Sequence, residues 1–383
     1  MPENIVIKSD EETRLRKILE GKKDTESERL KRFLNIPDLT RTLGSPLHEM
    51  IERIMSQPEF KSFDTIKVPE ITPTDVSFDL FDFPPEHPAR SRSDTYYVDD
   101  KNILRTHTTV MWYYFLTEES IKTKILNGES VGAFSYGKVY RKDEIDRHHM
   151  NVFHQMDGWF LTPKYQKIIT SHDLENVLAA IAKAVFGPEV KYRFNPDKFP
   201  YTDPSLEMEI DKGNEQWVEV LGAGVVKGSV LDKLGVDSSK YNGWAFGFGL
   251  ERLAIISMEL PDIRLLWSED LRVKSQLKLG SKFKDVSKFP PVVRDISFVV
   301  NSDFIPNDYF DTIRDVGGEM IEQVELLDKY ENVTKFGAGK LSYTFRITYR
   351  HLAKTLTNEE VNKIHAELEK KTEADFKAEI RRV

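Results

Sequence analysis

Two stretches of this 383-residue chain carry side chains whose types and spacing could do chemistry. In the first, Gly243-Trp244-Ala245-Phe246-Gly247-Phe248-Gly249 interleaves small residues with bulky apolar ones and runs into Leu250-Glu251-Arg252-Leu253-Ala254-Ile255-Ile256. Such spacing predicts a strand whose backbone lies very close to something else, turning helical at Leu250. Arg252 then stands at the edge of a flat, backbone-lined floor, a good seat for a nucleotide. The plainer reading of the same residues is a strand-to-helix joint with Arg252 paired to Glu251 or Glu259 on a solvated face. In the second stretch, Lys138 to Asp146 reads as a strand entering a charged loop and Asn151 to Gly158 as the strand that returns. Alternate residues of a strand share a side, which puts Arg141, His149, Phe153, Gln155 and Asp157 on or near one face. Polar groups on a covered face are costly unless they bind something.

The elements that must position these residues can be read in order. Residues 1–44 are highly charged, and Ser9 with Glu12 and Thr25 with Glu28 have the spacing of capping boxes, so two short helices are expected. Ser45-Pro46 starts a helix over about 46–56, and Thr65 to Pro69 reads as a short strand. Further strands are expected at Asp94 to Val98, Tyr192 to Phe194, Leu206 to Ile210 and Trp217 to Gly224, with an apolar helix from Asp173 to Phe186. Alternation with short turns predicts a mainly antiparallel sheet flanked by helices, an α+β fold. The composition changes at about 281, where Lys282, Lys284 and Lys288 precede the stiff Phe289-Pro290-Pro291. Strand 294–300, helix 308–316, strands 321–330 and 341–349, helix 358–371 and a last strand 379–383 follow, in the βαββαβ order of a ferredoxin-like unit.

Composition narrows the function. There is no cysteine, which excludes disulfides, thiolate catalysis and Cys-ligated zinc. A net charge of −8 argues against a protein that coats nucleic acid non-specifically, although a local basic face is compatible with it. No apolar run reaches the length of a membrane span, so no membrane partner is expected. The N-terminus lacks the Arg-rich, acid-poor character of a transit peptide, which points to the cytoplasm, or to the mitochondrial matrix if a presequence has been removed.

Together with its continuation Glu259-Leu260-Pro261-Asp262-Ile263-Arg264-Leu265-Leu266-Trp267, the glycine strand resembles motif 3 of the class II aminoacyl-tRNA synthetases, specifically of phenylalanyl-tRNA synthetases. The 138–158 hairpin is similar to their motif 2, and the 46–69 helix and strand, with Pro69, to motif 1. The C-terminal unit looks like the anticodon-binding domain of the same enzymes. The order of parts resembles the single-chain, mitochondrial-type enzymes, which act as monomers. The resemblance implies a charged helical extension at 1–44, a class II catalytic domain at 45–280, a linker at 281–290 and a ferredoxin-fold anticodon-binding domain at 291–383. It implies activation of L-phenylalanine by ATP with Mg2+, then transfer to the terminal adenosine of tRNA-Phe.

By position, Arg141 should grip the α-phosphate, Asp143 lie near the adenine amino group, His149 near the polyphosphate, and Phe153 and Arg252 sandwich the purine. Gln155 and Asp157, helped by His107 and Thr109, should receive the amino group of phenylalanine. Phe199, Tyr201, Ala245 and Phe246 should wall the ring pocket, and Glu219 is the metal candidate. Arg346, Arg350 and Lys354 should contact tRNA, while Tyr343, Phe345 and Tyr349 read better as the core of their own domain. The C-terminal domain, from about residue 287, should be dispensable for adenylate formation. Four departures from the family pattern stand out: Asp157 where Glu is common, Thr109 for Ser, Tyr201 for Phe, and Trp112 for a pocket Gln. The competing class is a catalytically inactive, synthetase-like tRNA-binding protein. Retention of both Arg141 and Arg252 speaks against it.

Overall fold

The computed structural model describes residues 2–286 and 289–381. Lys288 of the expected linker and Arg382 and Val383 of the expected last strand lie outside the described residues. The chain divides into two compact units, one of Met1–Arg141, Val152–Leu260 and Leu277–Lys282, the other of Lys142–Asn151, Pro261–Gln276 and Phe283–Val383.

In the first unit β1 (Asn4–Val6), β2 (Asp64–Lys67), β3 (Ile71–Pro73), β4 (Asn102–Leu104), β5 (Val131–Tyr140), β6 (Val152–Pro163), β7 (Tyr192–Phe199), β8 (Thr202–Asp211), β9 (Trp217–Val226) and β10 (Tyr241–Gly249) follow in chain order. Eight of them form one sheet in the order β1-β2-β5-β6-β10-β9-β8-β7, and β3 pairs with β4. From β5 to β7 every neighbour is antiparallel. The expectation of an antiparallel sheet fails at one edge, because β1–β2 and β2–β5 are parallel and the sheet is therefore mixed. The connections explain the difference: three α-helices separate β1 from β2, and helices Met111–Thr117 and Glu119–Leu126 separate β2 from β5. Crossovers of that length can return a chain in the same direction, whereas a tight turn cannot.

Helix Pro46–Met55 begins as its sequence requires. Ser45 Oγ accepts the Leu47 N–H at 3.2 Å, proline occupies the first position, and Leu47, Met50, Ile51 and Ile54 are buried. The second helix of the N-terminal segment is capped by Asp24 instead of Thr25, its carboxylate accepting the Ser27 N–H at 2.9 Å. Asp is as good a cap as Thr, and it stands one residue earlier.

The second unit holds β11 (Val292–Asn301), β12 (Ile321–Glu331), β13 (Lys340–Tyr349) and β14 (Glu379–Ile380), in the sheet order β12-β13-β11-β14, with helices Pro306–Gly317 and Asn358–Phe376. This is the βαββαβ arrangement expected. Thr357 and Glu360 close a full capping box on the long helix. Phe298, Tyr309, Tyr343, Phe345 and Tyr349 are buried together, so the aromatic residues of β13 do form this unit's core. A segment distant in sequence, 142–151, completes the unit. Ile145 joins the same core and its carbonyl accepts the Val324 N–H at 2.9 Å.

Candidate active site

Register decides which side chains meet. Across β6 and β10, Asp157 faces Gly247, Gln155 faces Gly249 and Trp159 faces Ala245, while β9 sets Gly222 beside Gly247 and Gly224 beside Ala245. Directly opposed residues point to the same side of a sheet, so one face carries a stripe nearly bare of side chains. The bareness is needed. A Cβ on Gly222 would lie 2.5 Å from the Phe199 ring, and one on Gly247 would lie 2.5 Å from Asp157 Oδ1. Above Gly249 nothing stands within 4 Å.

Asp157 is 6 % exposed and makes no ion pair among the described residues. Thr108 Oγ1 donates a short hydrogen bond to one of its oxygens and Thr109 Oγ1 donates to the other at 3.1 Å. Burial pushes the carboxyl up to about 6, against the lowering by these two hydrogen bonds and by the charges of Arg141 and Arg105. His107 is pushed down to about 4, by burial first and by the Arg141 charge second, and its Nε2 lies 3.0 Å from the Ser77 carbonyl. Above pH 4 this imidazole is neutral, so it offers a hydrogen-bonding ring and no charge.

Beside the carboxylate, packed aromatic side chains form the walls of a candidate slot. Trp112 and Trp159, both 0 % exposed, stack at 5.2 Å. Tyr201 meets Trp112 edge-on at 5.8 Å and stacks on Phe199 at 6.2 Å, and Phe81 packs edge-on against Trp112, His107 and Tyr201. Burial, then the Asp157 charge, pushes the Tyr201 hydroxyl up. Ala245, 4 % exposed, contributes only a methyl group to this wall. Phe246 does not belong to it. This side chain lies on the other face of β10, against Phe60, Phe134 and the position above Gly158, because adjacent residues of a strand point to opposite sides.

At the opposite end of the stripe, Arg141 donates from Nε to the Thr106 carbonyl at 2.9 Å and its guanidinium lies 5.2 Å from the Phe153 ring centre. Arg252, about half exposed, stands 3.9 Å from Glu219 of β9. It pairs with neither Glu251 nor Glu259. Glu251 is buried and accepts the His154 N–H and, at 2.6 Å, the His154 Nδ1–H, while His154 Nε2 accepts the Leu39 N–H at 3.0 Å. Glu259 pairs with Lys282. The buried Glu251–His154 bond fixes the first turn of helix Leu250–Met258 on β6, and Arg252 follows directly.

Sequence reading missed Thr108, Trp159, Phe81 and Gly247 as site residues. For Trp159 the signal was available, since the alternation that picks out Phe153, Gln155 and Asp157 continues to it. Asp143 and His149 fall in segment 142–151 and are described with the second unit. There His149 Nδ1 lies 2.8 Å from Asp146, and Asp143 accepts the Glu144 N–H at 2.9 Å.

In that unit the three expected RNA cations all have acidic partners. Arg346 makes two 2.9 Å bonds to Asp295, and Lys354 pairs with Glu360 at 2.5 Å. Arg350 lies 2.6 Å from Glu322, a carboxylate 1 % exposed that also receives the Arg147 Nε–H at 2.8 Å.

Residues 34–277 match the family of class II tRNA synthetase core domains (F), and residues 287–381 match the ferredoxin-fold anticodon-binding domain. The chain is 34% identical over 371 residues to the chloroplastic/mitochondrial phenylalanine–tRNA ligase of Arabidopsis thaliana, covering 91% of this chain and 82% of that protein. A probable mitochondrial phenylalanine–tRNA ligase of Drosophila melanogaster is 34% identical over 85% of this chain and 80% of its own length. The mitochondrial phenylalanine–tRNA ligase of Mus musculus is 34% identical over 80% and 72%.

Proposed function

We propose, because this chain belongs to the class II tRNA synthetases and falls among their phenylalanine–tRNA ligases, that the slot beside Asp157 holds L-phenylalanine and the bare stripe holds ATP. One observation carries the assignment. A buried carboxylate without an ion-pair partner among the described residues, fixed by two threonine hydroxyls beside a cluster of aromatic side chains, is complementary to an ammonium group joined to an aromatic side chain.

The reaction is ligation of phenylalanine to tRNA in two steps. The phenylalanine carboxylate oxygen attacks the α-phosphorus of ATP in line, the bond to the β-phosphate oxygen breaks, and diphosphate leaves. No proton has to be removed from the nucleophile, so positioning and charge stabilisation do the work. Arg141, held by the Thr106 carbonyl, is assigned to the α-phosphate, where a planar fork can bond two oxygens. Phe153 and Arg252 are assigned to the two faces of the purine, and Gln155 is assigned with Asp157 to the amino group. In the second step the 2′-hydroxyl of the terminal adenosine attacks the mixed anhydride carbonyl and AMP leaves.

Magnesium fits as an ion carried mainly by the phosphates of ATP. Glu219 offers one half-exposed carboxylate, and no group of three or more acidic or histidine ligands occurs among the described residues. When bound, the ion would neutralise charge on the departing diphosphate. The ferredoxin-fold unit is assigned to the anticodon of the tRNA. The names of the relatives, chloroplastic or mitochondrial, support an organellar enzyme in preference to a cytoplasmic one. Among the described residues no helix is long and apolar enough to cross a membrane.

The test is ATP–diphosphate exchange with each amino acid in turn. Phenylalanine should support it, and Arg141→Ala and Arg252→Ala should each lower it by several orders of magnitude. Exchange that survives both substitutions, or that prefers a polar amino acid, overturns the assignment.

A further inference from the structure

Lys138 and Tyr136 alternate along β5 with Ser135 and Gly137, the residues that stand opposite Asp157 and Gln155, so they point to the other side of the sheet. At this edge of the sheet residues of the N-terminal segment, of β2 and of β5 line a cavity of about 360 Å³. Its lining has five cations, Arg16, Arg41, Lys67, Arg105 and Lys138, against three carboxylates, Glu12, Asp38 and Glu70.

The carboxylates are already answered. Arg16 pairs with Glu12 and with Glu70 at 2.6 Å each, Lys138 pairs with Glu70 at 3.2 Å, and Arg41 pairs with Asp38 at 3.0 Å. Two cations remain, because Lys67 and Arg105 make no ion pair among the described residues. Lys67 is exposed at the rim. Arg105 is only 3 % exposed, and its bonds run to neutral carbonyls, from Nε to Lys138 at 2.7 Å and from Nη1 to Val68 at 2.9 Å and Pro69 at 3.3 Å. Its remaining nitrogen, Nη2, takes no protein acceptor and lies over Gly137, where a Cβ would come within 2.8 Å of it. Carbonyl oxygens satisfy N–H groups without adding charge, and the carboxylates that feel the Arg105 charge, Glu70 and Asp38, are shared with Arg16, Lys138 and Arg41. An anion in the cavity would supply the acceptor that Nη2 lacks and offset the excess of cations in the lining.

We propose that this cavity is a binding site for a small phosphate-class oxyanion, free phosphate or diphosphate, held by Arg105 and Lys67. A dianion matches the two cations in excess, and the space is far larger than a halide needs. The site includes none of the residues assigned to the substrate slot, although the Arg105 charge reaches Asp157.

The full-length chain is titrated with potassium phosphate at ionic strength held constant with potassium chloride, and binding is followed by calorimetry and by the thermal midpoint. Saturable binding and a rise in midpoint are expected with phosphate. Lys67→Ala should weaken binding at least tenfold while leaving phenylalanine-dependent tRNA charging unchanged, and Arg105→Met should abolish it; should that buried variant fail to fold, Lys67→Ala still decides. Diphosphate is also a product of the reaction, so its arm is run on Arg252→Ala, which should bind both anions in the cavity as the parent chain does. An equal response to chloride alone, undiminished binding by Lys67→Ala, or loss of phosphate binding in Arg252→Ala overturns the proposal.

Discussion

Gly247 lies directly across the sheet from Asp157, close enough that a Cβ added to the glycine would stand 2.5 Å from Oδ1 of the carboxylate. The glycine is therefore a condition of the carboxylate's placement. Gly247→Ala should displace Asp157 from Thr108 and Thr109 and raise the KM for phenylalanine at least tenfold, with the KM for ATP little changed. Gly249→Ala is the contrast, since its methyl meets nothing within 4 Å. It should leave folding intact and raise the KM for ATP, because the methyl enters the space assigned to the nucleotide. Steady-state exchange kinetics of both variants check the pair.

The Asp157 carboxyl, held up at about 6, sets a pH window. Above pH 6 the free enzyme has the charged form that an ammonium group needs, and below it that form is lost. Phenylalanine should bind about tenfold more weakly at pH 5 than at pH 7. Stability runs the other way. The folded value lies above the ordinary 3.8, so the buried charge destabilises the ligand-free fold above pH 6, by roughly 3 kcal/mol, and this is relieved as pH falls from about 6 towards 4. Asp157→Asn should abolish both dependences, as calorimetric titration and denaturant melts at each pH would show.

Ala245→Gly should admit para-halogenated phenylalanine, because Ala245 opposes Trp159 at the wall of the slot and removing its methyl lengthens the space for the ring. Rejection of tyrosine should stay limited to about a hundredfold, as expected where an apolar pocket meets one added hydroxyl. Competition between phenylalanine and tyrosine in exchange measures it. Complete rejection of tyrosine would count against the slot as described.

Arg350→Ala should act on stability before it acts on tRNA. The substitution removes one of two cations from Glu322, 1 % exposed, and because Arg147 stays the cost should fall below the roughly 3–5 kcal/mol of a buried charge left alone. Lys354→Ala removes an exposed partner of Glu360 and should leave the melting temperature within a degree or two while raising the KM for tRNA and flattening its salt dependence. Deleting residues 283–383 is a harsher form of the same test. The sequence led us to expect undisturbed adenylate formation, but Ile145 packs in the core of that unit and Arg314 donates to the Glu144 carbonyl at 2.5 Å. Segment 142–151 would lose its packing, and exchange should fall with a higher KM for ATP.

Sequence by itself determined what depends on neighbours along the chain. Strand alternation set Phe153, Gln155 and Asp157 on one side, Ser45-Pro46 started its helix, the glycines of 243–249 announced a close approach, and alternation in β13 buried Tyr343, Phe345 and Tyr349. These follow from backbone geometry with a period of two or from caps spanning a few residues. Tertiary structure decided what depends on which strand lies beside which. The pairing of β6 with β10 gave Gly247 its partner and set Phe246 away from the slot, although the residue types alone made Phe246 as plausible a wall as Ala245. Long crossovers made β1 and β2 parallel to β5. Glu322 claimed Arg350, and Arg105 was left bonding neutral carbonyls. Charge pairing and burial join residues far apart in sequence, such as Arg147 and Glu322, and no local pattern encodes a partner that only folding brings near.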